Sequence, residues 1–157
     1  LAPGQKNGPG KSVVFAISKH HASRLAQYLN NLHPEHKGRY AEVITSDVAN
    51  ADDLIRRFKQ EDLPMVAVSV GMLDTGFDCR EILHLVMCRR VRSPILYQQM
   101  RGRGTRTAPH IGKEKFVIYD FFGNHGNPDC FADTFDLLRQ PFPVCVSSVL
   151  DGFLKGI

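Results

Sequence analysis

The chain lacks several things, and each lack closes off a class of function. No apolar run approaches the roughly 18–20 residues that cross a bilayer as a helix, so no membrane role is expected. The opening residues Leu1-Ala2-Pro3-Gly4-Gln5-Lys6 have no apolar stretch of the kind a secretory leader needs. The four cysteines, Cys79, Cys88, Cys130 and Cys145, form no C-x-x-C pair and have no histidines at zinc spacing. They read as free thiols of a reducing, cytoplasmic compartment, with Cys88 a small core residue. His33-Pro34-Glu35-His36 is not H-E-x-x-H, and Pro34 argues for a loop, so no metal site is expected. Gly8-Pro9-Gly10-Lys11-Ser12 is not a P-loop. Gln5 stands where G-x-x-x-x-G-K-S requires glycine, and a strand follows the segment instead of preceding it. Gly102-Arg103-Gly104 fails as a dinucleotide fingerprint because Thr107 replaces the third glycine. No internal repeat is evident, and no nucleophile–base pair stands out.

What is present is ordinary in bulk and unusual in distribution. A length of 157 residues, 43% hydrophobic and 23% charged, fits one globular domain with a real core. The net charge of +4 leans weakly toward polyanionic partners. Six arginines, Arg89, Arg90, Arg92, Arg101, Arg103 and Arg106, are concentrated in one short segment.

Along the chain, residues 1–12 are rich in Gly, Pro and Lys and read as a linker. Val13–Ile17, Tyr40–Thr45, Met65–Val70, Ile82–Cys88 and Phe116–Tyr119 read as strands. Ser18 can cap a helix whose inner face is Ala22, Leu25, Ala26, Leu29 and Leu32. Asn50 with Asp53 resembles a capping pair for a helix with Leu54, Ile55 and Phe58 inside. Ser93-Pro94 starts a third helix, which should carry Leu96, Gln99 and Arg103 and be ended or loosened by Gly102 and Gly104. Alternation of this kind predicts an α/β fold: a parallel sheet with helices on both faces. After Asp120 the composition changes. Residues 125–157 read as an extension leading to a following domain, with a short helix over Phe131–Leu138. In such a sheet the ligand lies at the carboxyl ends of the strands, where Ser18–His20, Thr45–Asp47, Ser69–Asp78 and Arg89–Ser93 would gather.

The chemistry-bearing segment is Gln98-Gln99-Met100-Arg101-Gly102-Arg103-Gly104-Thr105-Arg106, which contains Gln-x-x-Gly-Arg-x-x-Arg. Arginines three apart share a helical face, and two guanidinium forks suit the γ-phosphate of ATP. Upstream lies Leu73-Asp74-Thr75-Gly76-Phe77-Asp78. In order and spacing these segments resemble motifs V and VI of superfamily 2 helicases and translocases. Leu85 to Met100, Arg101 to Arg106, Ile111-Gly112-Lys113 and a strand ending in Asp120 resemble the motor (R) subunits of type I restriction endonucleases. The resemblance covers roughly residues 11–124.

That resemblance implies a second RecA-like domain over residues 13–124, carrying motifs IV to VI. ATP and Mg2+ would be bound mainly by a first RecA-like domain carrying the P-loop and Walker B acid, neither of which this chain has. Domain closure would bring Arg103 and Arg106 to the γ-phosphate as arginine fingers. Gln99 would link the phosphate to the closed interface. Gly76 would permit close backbone approach, and Asp78 would bond the ribose or pair with a finger arginine. The loops after the first three strands would hold the DNA backbone through Ser18, Lys19 and His20, then Thr45 and Ser46, then Ser69. Gly71 stands where relatives often carry Asp and is given no side-chain role. Cys79-Arg80 replaces the usual apolar-Pro pair. The expected function is the second motor domain of an ATP-dependent double-stranded DNA translocase of a type I restriction system. Modification and specificity subunits would be its partners, and this segment alone would be inactive. The alternatives are a DExH-type helicase or repair motor outside restriction, and a non-catalytic nucleic-acid-binding module on the same fold.

Overall fold

The computed structural model describes residues 10–73 and 77–124 and the backbone of 144–147. Its elements are β1 (Lys11–Phe15), α1 (Lys19–Leu32), β2 (Ala41–Ile44), α2 (Ala51–Gln60), β3 (Val66–Ser69), β4 (Ile82–Met87), α3 (Pro94–Arg101), β5 (Phe116–Asp120) and β6 (Val144–Ser147). The strands form one sheet in the order β2-β3-β1-β4-β5-β6, and every neighbouring pair is parallel. This is the expected α/β, RecA-like arrangement. Two boundaries differ from the sequence reading. β1 begins at Lys11, inside the segment read as linker, and β6 extends the sheet from within the segment read as an extension.

The period-two alternation of each strand divides the core between two faces. Val13 and Phe15 of β1 pack with Leu54 and Phe58 of α2 and with Tyr97 and Met100 of α3. Val14 of β1 packs with Ala22, Ala26 and Leu29 of α1 on the opposite face. The sheet is therefore buried on both sides, and its strands read as continuous apolar runs for that reason. Each of these large side chains, fully buried, contributes roughly 1.5–3 kcal/mol.

Local signals set the helix ends. Ser18 is extended (φ −146°, ψ 164°) and its Oγ accepts from His21 N at 3.2 Å, closing the first turn of α1. Ser93 caps α3 in the same way, accepting from Leu96 N at 3.3 Å, with Pro94 at the first helical position. The Asn50–Asp53 capping pair does not form. Asn50 sits at the N-cap without a side-chain bond, while Asp53 takes Arg56 at 2.5 Å instead. A flexible guanidinium one turn along outcompetes the backbone amide for that carboxylate. At the sheet edge, Asn30 of α1 clamps β2: its Nδ2 donates to Ala41 O and its Oδ1 accepts from Ala41 N, both at 2.9 Å. The clamp occupies backbone groups that an edge strand would otherwise present for pairing.

Candidate functional site

Register places Ile44, Ser69, Phe15, Met87 and Asp120 in one row across the carboxyl end of the sheet. From β1 the chain turns to one side, toward β2 and β3; from β4 it turns to the other, toward β5. The crevice between the ends of β1 and β4 is thus the topological switch point, where parallel α/β sheets take their ligands. The loop after β1 and the Arg89–Ser93 loop flank it.

The turn after β1 and the start of α1 present Ser18, Lys19 and His20 at the surface. Lys19 Nζ makes an ion pair with Asp47 Oδ2 in the loop after β2. Ser46 Oγ donates to the other Asp47 oxygen at 3.1 Å. One carboxylate thereby joins two of the loops expected to hold DNA. Of the six residues expected on that surface, Ser18, Lys19, His20 and Ser46 are exposed. Thr45 is 4% exposed and Ser69 is fully buried. The Ser69 hydroxyl accepts from Leu73 N at 3.2 Å, so it fixes the start of the following loop.

The Gln-x-x-Gly-Arg-x-x-Arg segment departs from the helical reading in one respect. α3 ends at Arg101, so Arg103 and Arg106 lie beyond it and do not share a helical face. The cause is the glycine pair. Gly102 N closes the last full turn on Gln98 O at 2.8 Å, and then Arg103 N and Gly104 N tighten to Met100 O and Arg101 O. Gly104 is needed for space: a Cβ there would meet the Phe116 ring at 2.2 Å.

This turn carries the arginines onto the segment upstream. Arg103 Nη1 donates to Phe77 O at 2.5 Å. Arg106 Nε lies 3.6 Å from Asp78 Oδ1, with about half of each side chain exposed (52% and 49%). Two segments more than twenty residues apart in sequence are thereby drawn into one cluster. Gln99 stands exposed on α3. Gly76, with Asp74 and Thr75, lies outside the described residues, as does the helix expected over Phe131–Leu138.

Three further groups carry no signal in the spacing of the sequence. Asn124 is 2% exposed; its Oδ1 accepts from Val91 N at 2.8 Å, and its Nδ2 donates to Arg89 O and to Asp120 Oδ1, both at 3.0 Å. It pins the arginine-rich loop to the end of β5. Arg101 is 9% exposed, its Nε has no hydrogen-bond partner, and burial pulls its pKa below the usual arginine value. Lys113 is 6% exposed, and its Nζ donates to Arg80 O at 3.0 Å. Burial brings the Lys113 pKa down to about 8. In each case tertiary contact alone gives the residue its role.

Residues 1–108 match the helicase conserved C-terminal domain family. The chain belongs to that family. It is 36% identical over 124 residues to the endonuclease subunit of the type I restriction enzyme EcoKI of Escherichia coli K12, covering 72% of this chain and 10% of that one. Against the EcoAI endonuclease subunit of Escherichia coli the identity is 31% over 122 residues, covering 73% and 15%. This helicase domain therefore spans between a tenth and a sixth of the curated relatives it matches. Among solved structures, it superposes with a TM-score of 0.73 on a fragment of a chain designated an HsdR subunit of a type I restriction enzyme from Vibrio vulnificus YJ016. That match has 26% identity and covers 87% of this chain and 27% of that one. Among the described residues, no helix is long and apolar enough to cross a membrane.

Proposed function

We propose that this helicase C-terminal domain is the second motor domain of an ATP-dependent double-stranded DNA translocase belonging to a type I restriction system. The observation that carries the reading is the convergence of Arg103 and Arg106 on Phe77 and Asp78. The 36% identity to the EcoKI subunit supports the restriction assignment.

In this reading a first RecA-like domain holds ATP and Mg2+ through its own P-loop and acid. Closure of the two domains moves the Arg103 and Arg106 guanidinium groups from their present partners to the γ-phosphate. There they stabilise the charge that builds up on the equatorial oxygens during phosphoryl transfer. Phe77 O and the Asp78 carboxylate are holding partners: they keep the forks aligned in the open state, so less side-chain freedom is lost on closure. Gln99, exposed on the preceding helix, senses the γ-phosphate across the interface, and Gly76 allows the backbone to approach. Ser18, Lys19, His20, Thr45, Ser46 and Ser69 belong to loops that hold phosphates, through side chains where exposed and through backbone amides where the side chain is buried. Such contacts position DNA without reading its sequence, as a translocase requires. Modification and specificity subunits supply sequence recognition.

The test is ATP hydrolysis by the full-length protein, with and without duplex DNA, for wild type and Arg103→Ala. A DNA-stimulated rate that collapses in the variant while ATP binding is kept supports the reading. An unchanged rate removes the finger and leaves a nucleic-acid-binding module. ATP hydrolysis by residues 1–157 alone would contradict the division of the site between two domains.

A further inference from the structure

The connection between α1 and β2 lies at the amino ends of the strands, the opposite end from the candidate nucleotide and DNA loops. Pro34 does not leave it as an open loop. Pro34–His36 forms a 3-10 helix with Pro34 at its first position and His33 at its N-cap. Residues three apart eclipse one another in a 3-10 turn, so His33 and His36 project from one face with Glu35 between them.

The three donors converge. His33 Nδ1 lies 3.2 Å from Glu35 Oε1, and His36 Nε2 lies 3.5 Å from the same oxygen. Each of the three residues offers one ligand atom, and these atoms all lie within 4.8 Å of one another. Tetrahedral zinc with bonds of about 2.0–2.2 Å places neighbouring ligand atoms about 3.4 Å apart, so two edges of the polyhedron already have the right length. The remaining edge, between the two imidazole nitrogens, is within 4.8 Å.

The imidazoles are also held. His33 stacks on the Tyr40 ring at 3.9 Å between centroids and 25° between planes, and His36 stacks at 5.2 Å and 19°. Tyr40 is 1% exposed and anchored in the core between α1 and β2. Its hydroxyl is buried without a hydrogen-bond partner, beside the cluster that its ring supports. One rigid aromatic therefore sets the orientation of both rings, and much of the ordering cost of a metal site is met before the ion arrives. The imidazoles remain partly open, at 23% and 29% side-chain exposure, and Glu35 is open at 59%.

We propose that His33, Glu35 and His36 form a binding site for a divalent transition ion of the Zn2+ class, with water completing the shell. Two imidazole nitrogens and one carboxylate oxygen suit zinc and its borderline neighbours better than Mg2+ or Ca2+, which prefer all-oxygen shells. The bound ion ties the residue that ends α1 to the 3-10 turn after it and stabilises the fold by mass action. It has no part in nucleotide chemistry, so the proposal stands independently of the translocase reading.

The experiment uses residues 1–157 and Zn2+ alone, in competition with a chromophoric chelator, followed by Co2+ as an optical probe. One ion per chain should bind with micromolar affinity and raise the melting temperature. Loss of outer-shell support alone costs about 10–100-fold in metal affinity, so Glu35→Gln and His36→Gln should each weaken binding by at least about tenfold. Both side chains are largely or partly exposed, and far-UV circular dichroism checks that each variant folds. Cobalt should give the d–d absorption of a nitrogen and oxygen shell without thiolate charge transfer. Three results overturn the site: binding weaker than millimolar, binding unchanged in both variants, or a thiolate charge-transfer band, which would move the ion to the cysteines.

Discussion

Lys11 and Lys113 lie at or just ahead of the first residues of β1 and β5, and both are buried. Lys19 and Arg106 lie at the surface, each facing an exposed carboxylate. Lys11 Nζ donates to the carbonyls of Glu61, Asp62 and Pro64, at 2.5, 3.1 and 2.8 Å, and sits 5.1 Å from the Phe58 ring centroid. Those carbonyls follow the end of α2, where a cation also meets the negative end of the helix dipole. Lys113 holds Arg80 O. Lys19 and Arg106, by contrast, meet Asp47 and Asp78 with about half or more of each side chain in solvent. Exposed pairs of this kind are worth little, about 0–1 kcal/mol. The two pairs of cations differ in what they can give up. A buried lysine bonded to main chain is part of the scaffold, whereas an exposed cation on one carboxylate can exchange it for a phosphate at small cost.

The sharpest way to break the comparison is at Arg103, which lies between the two classes: half-buried, yet proposed as a catalytic finger. Arginine fingers supply about 10³–10⁵ in rate. Arg103→Ala in the full-length protein should reduce DNA-stimulated ATP hydrolysis by orders of magnitude. Its effect on stability should stay near about 1 kcal/mol, the worth of the lost bond to Phe77 O. Steady-state hydrolysis and urea unfolding of the same preparation read the two quantities separately. If stability falls severely while turnover per folded molecule is kept, Arg103 belongs with the buried lysines.

Lys11→Met should show the reverse. It keeps an unbranched side chain of similar length but leaves three carbonyls without their donor. A loss of about 2–3 kcal/mol in urea unfolding is expected, with the m-value unchanged. A change below about 0.5 kcal/mol would place Lys11 with ordinary surface residues.

Lys113 gives a pH signature. Its pKa is 10.5 by default and about 8 in the folded protein, so the unfolded chain binds more protons between those values. Stability from this group therefore rises with pH across that window; below about pH 8 the full cost of burying the charge is present. Cys88 opposes it, because burial pushes that thiol up to about 11 from 9.0 and the folded form holds its proton longer. The clean reading is thus the stability difference between wild type and Lys113→Met. It should move by about 2 kcal/mol in favour of wild type from pH 7.5 to pH 10. A flat difference would mean that Lys113 is solvated.

Much of this was legible in the sequence because the signals are local. Ser18 and Ser93-Pro94 mark helix starts through a hydroxyl one turn from the amide it accepts. The five expected strands, apolar on both faces, appear within one or two residues of their expected limits. The grouping of Arg103 and Arg106 with Asp78 follows from motif order. What escaped was set by distance and space. Gly102 and Gly104 mark the end of the third helix in the sequence, but the periodic arginine spacing places Arg103 on it, whereas the tight turn and the approach of Gly104 to Phe116 put Arg103 beyond it. Lys11 read as linker because its partners lie fifty residues away. Asn124 follows Gly123 with nothing to mark it, yet its amide fits two backbone groups of a distant loop and the nearby Asp120 carboxylate. The burial of Thr45 and Ser69 has the same origin: a hydroxyl at the end of a strand looks available until the packing of the next loop is known.

The smallest expected effect tests the exposed half of the comparison. Lys19→Ala removes an ion pair whose members are 60% and 61% exposed. Stability should change by less than about 0.5 kcal/mol, since Coulomb attraction at that exposure is screened and fixing a lysine side chain costs entropy. If Lys19 holds a DNA phosphate, the same change should weaken duplex binding by the full-length protein uniformly across sequences. The slope of log affinity against log salt should then drop by about one. Asp47→Asn separates the two partners. It frees Lys19 from its carboxylate and removes a negative charge from the same surface, so duplex affinity should rise while the salt slope stays at the wild-type value or steepens. Loss of stability without any change in the salt slope would show that Lys19 and Asp47 serve only to tie the loop after β1 to the loop after β2.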